Sequence, residues 1–296
     1  MIVVTGGSGF IGSYVCSLLA DEGFDVRIID IVPPKEGVKA EYARSSILDT
    51  ERLEKLIVGA ESIIHLAAQI DVQASIANPA YDFEINAVGT QNVLAAAKRA
   101  GVQKVAYASS AAVYGNPISI PVDESHPANP LSPYGFSKLA AEKSVLLYGQ
   151  MYGMKTTALR LFNVYGAGQN PRSPYSGVIT KFADAIASGK QPIVYGDGEQ
   201  TRDFVHAQDV ARAFLLALKS NGYAAPINIG SGREIAVLDI LEKMCSLAGK
   251  TPNPKFLSER KGEIKRSVAD ISLAKAKLGF SPKIALEEGL KEIVRN

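Results

Sequence analysis

The sequence predicts an α/β fold, a doubly wound parallel sheet layered between helices, followed by a smaller α+β lobe. Three observations carry this. Short apolar runs bounded by Gly or polar residues alternate with longer segments of helical period, the rhythm of βαβ units. The first run opens directly into a Gly-rich turn and a helix. After about residue 165 the rhythm breaks, and Pro and Gly cluster in Gly166-Ala167-Gly168-Gln169-Asn170-Pro171 and in Tyr195-Gly196-Asp197-Gly198, as loops require.

In chain order the strands fall at 2–5, 25–30, 40–46, 61–66, 104–109 and 155–160, with helices near 10–22, 50–57, 81–100 and 132–152. Residues 1–165 therefore form one doubly wound layer sandwich, and 166–296 mainly a second, smaller lobe, some of whose segments return to the first domain. A chain of 296 residues, 47% hydrophobic, is long enough to bury a large core. With 32 basic and 30 acidic residues it carries no field strong enough to attract nucleic acid or an anionic membrane.

The two cysteines, Cys16 and Cys245, are far apart and form no Cys-x-x-Cys pair. A reducing cytoplasm suits them. The chain begins in the strand-like Ile2-Val3-Val4, without a charged leader and apolar signal, and no stretch approaches the roughly 20 apolar residues of a bilayer span. His65, His126 and His206 are too scattered for a metal motif, so no metal is expected.

The first strand runs into Thr5-Gly6-Gly7-Ser8-Gly9-Phe10-Ile11-Gly12, a G-x-x-G-x-x-G spacing. Gly6, Gly9 and Gly12 permit a tight turn and close backbone approach, so that a pyrophosphate rests on the N–H groups of the following helix, near Phe10 and Ile11. Asp30 ends the second strand, where a carboxylate accepts hydrogen bonds from both ribose hydroxyls and repels a 2′-phosphate. Ile31 and Val32 follow rather than an arginine, which favours NAD over NADP.

Tyr134-Gly135-Phe136-Ser137-Lys138 places a phenol and an ammonium on one helix face, downstream of a strand ending in Ala108-Ser109-Ser110. The chemistry of alcohol oxidation needs this trio. A tyrosine near pKa 10 is a poor base at neutral pH, and Lys138 with the positive nicotinamide would each lower it by roughly 1–3 units. Tyr134 then removes a hydroxyl proton, and Ser110 hydrogen-bonds the oxygen as charge develops on it.

The order TGGSGFIG, Asp30, His65-Leu66-Ala67-Ala68, Asn86, Ser109-Ser110 and Tyr134-x-x-x-Lys138 resembles the extended short-chain dehydrogenase/reductases, and within them the nucleotide-sugar 4-epimerases, over nearly the whole chain. The resemblance implies bound NAD, a UDP-sugar substrate and a homodimer built on helices 81–100 and 132–152, which carry Val88, Val93, Leu139, Val145 and Leu147. It further implies that Ile47, Ala67, Ala68, Asn86 and Ser109 belong to the cofactor site, with the Asn86 region supporting the central helix. Ser46 stands where relatives have an adenine-binding Asp.

By the same resemblance, Asn163 in Phe162-Asn163-Val164-Tyr165-Gly166, Val178, Arg202 and Arg260 meet the substrate, the two arginines as guanidinium clamps on the diphosphate. Ser267 takes a position that gates the sugar pocket. A small side chain there leaves room for a 2-acetamido group.

Ala111 and Ala112 stand where related dehydratases carry acids. A methyl group neither gives nor takes a proton, so dehydration is disfavoured. The expected activity is 4-epimerisation of UDP-glucose and UDP-galactose, extending to their N-acetylhexosamine counterparts. A reductase or a UDP-glucuronate 4-epimerase uses the same trio, and a non-catalytic NAD-sensing scaffold keeps the same fold. Tyr114 packs beside the site rather than reacting.

Overall fold

The computed structural model describes residues 1–169, 177–259 and 264–295. Strands β1 (Ile2–Thr5), β2 (Val26–Asp30), β3 (Glu41–Arg44), β4 (Ser62–His65), β5 (Lys104–Ser110) and β6 (Lys155–Leu161) follow the sequence expectation within two residues at each end. They lie in one parallel sheet in the order β6-β5-β4-β1-β2-β3. Short ladders complete the strands: β7 (Asn163–Tyr165) with β10 (Phe204–His206), β8 (Ile193–Tyr195) with β13 (Lys255–Leu257), and β9 (Thr201–Arg202) with β12 (Ile235–Ala236). The seventh strand of the large sheet, β11 (Pro226–Ile229), comes from the second half of the chain and pairs with β6.

The helices are α1 (Phe10–Asp21), α2 (Thr50–Ile57), α3 (Val72–Ala77), α4 (Pro79–Phe83), α5 (Gly89–Arg99), α6 (Pro133–Tyr152), α7 (Val178–Ala187), α8 (Ala207–Lys219), α9 (Val237–Leu247), α10 (Ser272–Leu278) and α11 (Leu286–Arg295). Side chains alternate across the sheet plane and so divide the core in two. Ile2, Val4, Ile28 and Leu159 face α1 and α8, whereas Val3, Ile29, Val105 and Ala158 face α2, α5 and α6. A third cluster fills the smaller lobe between α7, α9 and α11.

The helix expected at 81–100 is interrupted. Between α4 and α5 lies one wide π turn, Glu84–Val88, after which Gly89 passes so close to Ile47 that a Cβ there would stand 2.5 Å from its Cδ1. A π turn at this point redirects Asn86 inward. At the other end of the strand-linked helices, α6 starts on Ser132, whose Oγ accepts from the Gly135 N–H at 3.1 Å, with Pro133 at the first helical position. It stops at Gly153, in left-handed conformation with φ +68°.

The chain winds outward from β1 to β3 and then back through β4, β5 and β6 on the other side. The crevice at that reversal, beyond the carboxyl ends of the strands, is where such sheets bind ligands.

Candidate active site

Every strand that borders the crevice ends in a residue singled out above. After β1 the Gly-rich turn folds onto the end of β4: Gly6 has φ +72°, and a Cβ on it would lie 2.5 Å from the Ala67 nitrogen. A Cβ on Gly12 would strike the Gly6 carbonyl at 2.2 Å. Glycine is required at both, by conformation and by space at the first and by space at the second. The turn leaves the first-turn N–H groups of α1 without a side-chain cap, next to the Ser8 hydroxyl, which is buried and has no partner among the described residues.

Those donors fit the diphosphate of NAD. At the end of β2 the Asp30 carboxylate accepts from the backbone N–H of Ser8 at 3.1 Å and of Val32 at 3.2 Å, which holds it beside the turn. Ile47 is a core residue whose carbonyl accepts from the Asn92 side chain, and neighbouring Ser46 caps the backbone of Leu48. Ala67 and Ala68, half-buried, lead away from β4.

Asn86 is buried and fully engaged. Its Oδ1 accepts from Gln69 N–H at 2.8 Å, and its Nδ2 lies 2.9 Å from the Gln69 carbonyl, 3.2 Å from Asp82 Oδ1 and 3.1 Å from Ser137 Oγ. Its place in the site is thus to fasten the 67–69 loop to α6. Ser109 likewise spends its hydroxyl internally, donating to Glu142 at 2.6 Å. Glu142 in turn takes a bidentate grip from Arg160 at 2.9 and 2.6 Å.

Tyr134 reaches the end of β5 because Gly135 lets α6 pack on the turn after Ser110: a Cβ on Gly135 would meet the Ala112 carbonyl at 2.6 Å. The Ser110 hydroxyl lies close enough to the Tyr134 phenol to favour its ionised form. Burial holds this phenol above its ordinary pKa, the Ser110 hydroxyl opposes the rise, and the charge of Asp82 adds to it. The sequence points to the lowering by Lys138 and the nicotinamide but not to this burial, which is the largest influence of the chain's own groups on the phenol.

Lys138 is itself buried, with Nζ 4.4 Å from the centre of the Tyr107 ring. Burial pulls it down to about 7, against the pull of Asp82 and Glu142. Beneath it, Thr90 donates to the Asn86 carbonyl, so His65 Nε2–H must donate to Thr90 and Nδ1 accept from Thr5. Burial, reinforced by Lys138, keeps this imidazole neutral down to about 3.

A cavity of about 200 Å³ opens from Ser110 and is lined also by Ala111, Ala112, Tyr114, Asn163, Arg202 and Ser267. No carboxylate lines it among the described residues. Tyr114 donates to Asn228 Oδ1 at 2.6 Å and lies in a buried cluster with Phe162. Arg202 donates to the Thr201 carbonyl at 2.7 Å and is followed by Asp203, a buried carboxylate that gathers the N–H groups of Ser231, Gly232 and Ala269. Val178 begins α7 and packs on the core of the smaller lobe, outside the cavity lining. Arg260 lies outside the described residues.

Asp82, Glu142, Arg160 and Ser137 escaped the sequence reading. One signal was there: Glu142 follows Lys138 by one helical turn, and Arg160 interrupts the apolar run of β6. Among the described residues no cluster of His, Cys, Asp and Glu suits a metal, and no helix is long and apolar enough to cross a membrane.

The model of one protein family, described as the NAD dependent epimerase/dehydratase family, matches residues 2–230. A putative UDP-glucose 4-epimerase of Methanocaldococcus jannaschii is 42% identical over 300 residues, 99% of this chain and 97% of its own length. The solved UDP-glucose 4-epimerase of Thermotoga maritima, with UDP-glucose, superposes with a TM-score of 0.95 at 36% identity, covering 99% of this chain and 97% of that one. A UDP-N-acetylglucosamine 4-epimerase of Methanobrevibacter ruminantium, in complex with UDP-N-acetylmuramic acid, gives 0.94 at 35% identity, covering 99% and 96%. With the Gly-rich turn, Asp30 and the Ser110–Tyr134–Lys138 trio in one crevice, the chain belongs to the NAD dependent epimerase/dehydratase family.

Proposed function

We propose that this protein is a UDP-hexose 4-epimerase that interconverts UDP-glucose and UDP-galactose, and their N-acetylhexosamine counterparts, through a transient 4-keto sugar. One observation carries the reading. Ser110, whose hydroxyl favours the ionised form of Tyr134, lines a cavity shared with Asn163 and Arg202, and that cavity carries no acid for dehydration among its described residues.

Bound NAD supplies the hydride acceptor, the hydride donor for the return step, and a positive ring charge beside the phenol. Tyr134 takes the proton of the sugar 4-hydroxyl and gives it back. Ser110 donates to the oxygen while it carries negative charge. Asn163 and Arg202 hold the diphosphate as the keto sugar turns over, with Arg260 and Val178 as further substrate contacts. Gly6, Gly9, Phe10, Ile11 and Gly12 hold the cofactor diphosphate and Asp30 its ribose, while Ile47, Ala67, Ala68 and Ser109 shape the surrounding walls. Ser267, nearly buried in the cavity wall, is small enough to admit a 2-acetamido group.

The protein works as a homodimer in this reading. Val93 and Val145 are buried within the protomer, but Val88, at the end of the π turn before α5, and Leu147 on α6 remain 43% and 49% exposed, as do Phe136 and Met151 on α6 at 56% and 63%. Such an apolar helix pair suits a second copy. The two buried free thiols suit a reducing cytoplasm.

Incubation with UDP-galactose, UDP-N-acetylgalactosamine and UDP-glucuronate, without added reductant, tests the activity. Epimer without net NADH is the expected product; stoichiometric NADH would mark a dehydrogenase instead. Light scattering on the eluting protein checks the dimer.

A further inference from the structure

We infer that Asp82 is a positioning residue of the active site: its buried carboxylate ties the loop that meets the cofactor turn to the catalytic helix, and presents a fixed negative charge to Tyr134 and Lys138. The roles of those two residues rest on the epimerase reading above; the placement of Asp82 does not.

Asp82 lies in α4, fully buried, at the junction of three segments. Its Oδ1 accepts from Gln69 Nε2 at 2.9 Å and from Asn86 Nδ2 at 3.2 Å, and its Oδ2 accepts from Ser137 Oγ at 2.5 Å. Gln69 belongs to the loop whose Ala67 seats the Gly6 turn, and Ser137 is the residue before Lys138 on α6. One carboxylate thus bridges the cofactor side and the proton-transfer side of the crevice.

Hydrogen bonding alone does not call for a charge here. An asparagine oxygen would accept from Gln69 and Asn86, and its N–H would meet Ser137 Oγ, whose own proton can remain on the Tyr134 carbonyl 3.0 Å away. Burial opposes the anion and raises its pKa, while Ser137, Lys138, Asn86 and Gln69 act to keep it ionised. What the charge adds over an amide is its field.

The surroundings of Lys138 are few. Glu142 faces it from α6, Asp82 from α4, neutral His65 from β4 and the Tyr107 ring from β5, with Tyr134 one turn earlier on its own helix. Glu142 is neutralised by the bidentate Arg160, whereas Asp82 meets only neutral donors through its direct hydrogen bonds. Asp82 therefore leaves a less compensated field at the phenol and the ammonium. It favours the charged lysine and disfavours the phenolate, so it raises the pH at which each loses its proton.

The test is Asp82→Asn. Both limbs of the kcat–pH profile are expected to move to lower pH by roughly half a unit to one unit, with thermal unfolding little changed. Asp82→Ala, which also removes the bridge, is expected to lose several-fold of the NAD retained through purification. A loss of kcat with both limbs in place, or a large fall in Tm for the asparagine variant, assigns Asp82 to fold maintenance and overturns the inference. Tyrosinate absorbance provides a readout independent of turnover: the titration present in Asp82→Asn and absent from Asp82→Asn with Tyr134→Phe should fall below the same difference taken on the parent background. If the parent shows no epimerase activity, this titration still decides the role of Asp82, while the proposed reaction alone is lost.

Discussion

Gly6 and Ala67 touch where no side chain can stand: the Cβ that Gly6 lacks would lie 2.5 Å from the Ala67 backbone nitrogen. The contact locks the cofactor turn to the end of β4. Gly6→Ala must both adopt φ +72° and displace that backbone. The conformation alone costs about 1–2 kcal/mol, and the collision adds to it. The variant should unfold at lower denaturant and release no NAD on heating, as a denaturant curve with cofactor assay will show.

Tyr134→Phe removes the proposed base and leaves the ring. A drop in kcat of roughly 10²–10⁴-fold is expected, with NAD retained. Because burial raises the parent phenol, parent activity should increase with pH over its acid limb as the phenolate forms. Steady-state rates across pH on both proteins check the pair of statements.

Glu142→Gln leaves Arg160 buried without its counter-charge. Breaking one side of a buried pair costs about 3–5 kcal/mol, a large share of the stability of an ordinary domain. Urea unfolding should show it.

His65 links stability to acid. Its folded pKa, about 3, lies below the ordinary 6.5, so between those values the unfolded chain binds a proton that the folded chain refuses. Stability from this group is complete above pH 6.5 and declines as pH falls toward 3. His65→Gln should flatten that part of the stability–pH curve, measured by denaturant midpoints from pH 4 to 8.

Ser267→Tyr narrows the cavity from its wall. We expect kcat/KM for UDP-N-acetylgalactosamine to drop by more than tenfold and that for UDP-galactose to change within a few-fold. Equal losses on both substrates would show that the position does not sort sugars.

The strands and the cofactor turn were legible because their causes are local: an apolar run, a glycine spacing, a carboxylate at a strand end. The trio was legible through its order along the chain. What stayed hidden depends on partners distant in sequence. Asp82 reads as an ordinary acid in the first turn of a helix until Gln69, Asn86 and Ser137 converge on it. The π turn at Glu84–Val88 leaves no mark in a 3.6-residue pattern, since it follows from fitting Gly89 against Ile47. The burial that raises Tyr134 and lowers Lys138 stayed hidden because a linear sequence shows the lysine one turn away but not the loss of water around both groups.

Strand β11 closes the open edge of β6 with residues made 68 positions later in translation. A nascent chain that has already emerged with Tyr134, Lys138 and the glycine turn still displays the backbone of Ala158–Leu161 unpaired along that side. Pairing along that edge therefore waits for Pro226–Ile229, and a product terminated before them would carry Ser110, Tyr134 and Lys138 on a sheet primed to stick to its neighbours.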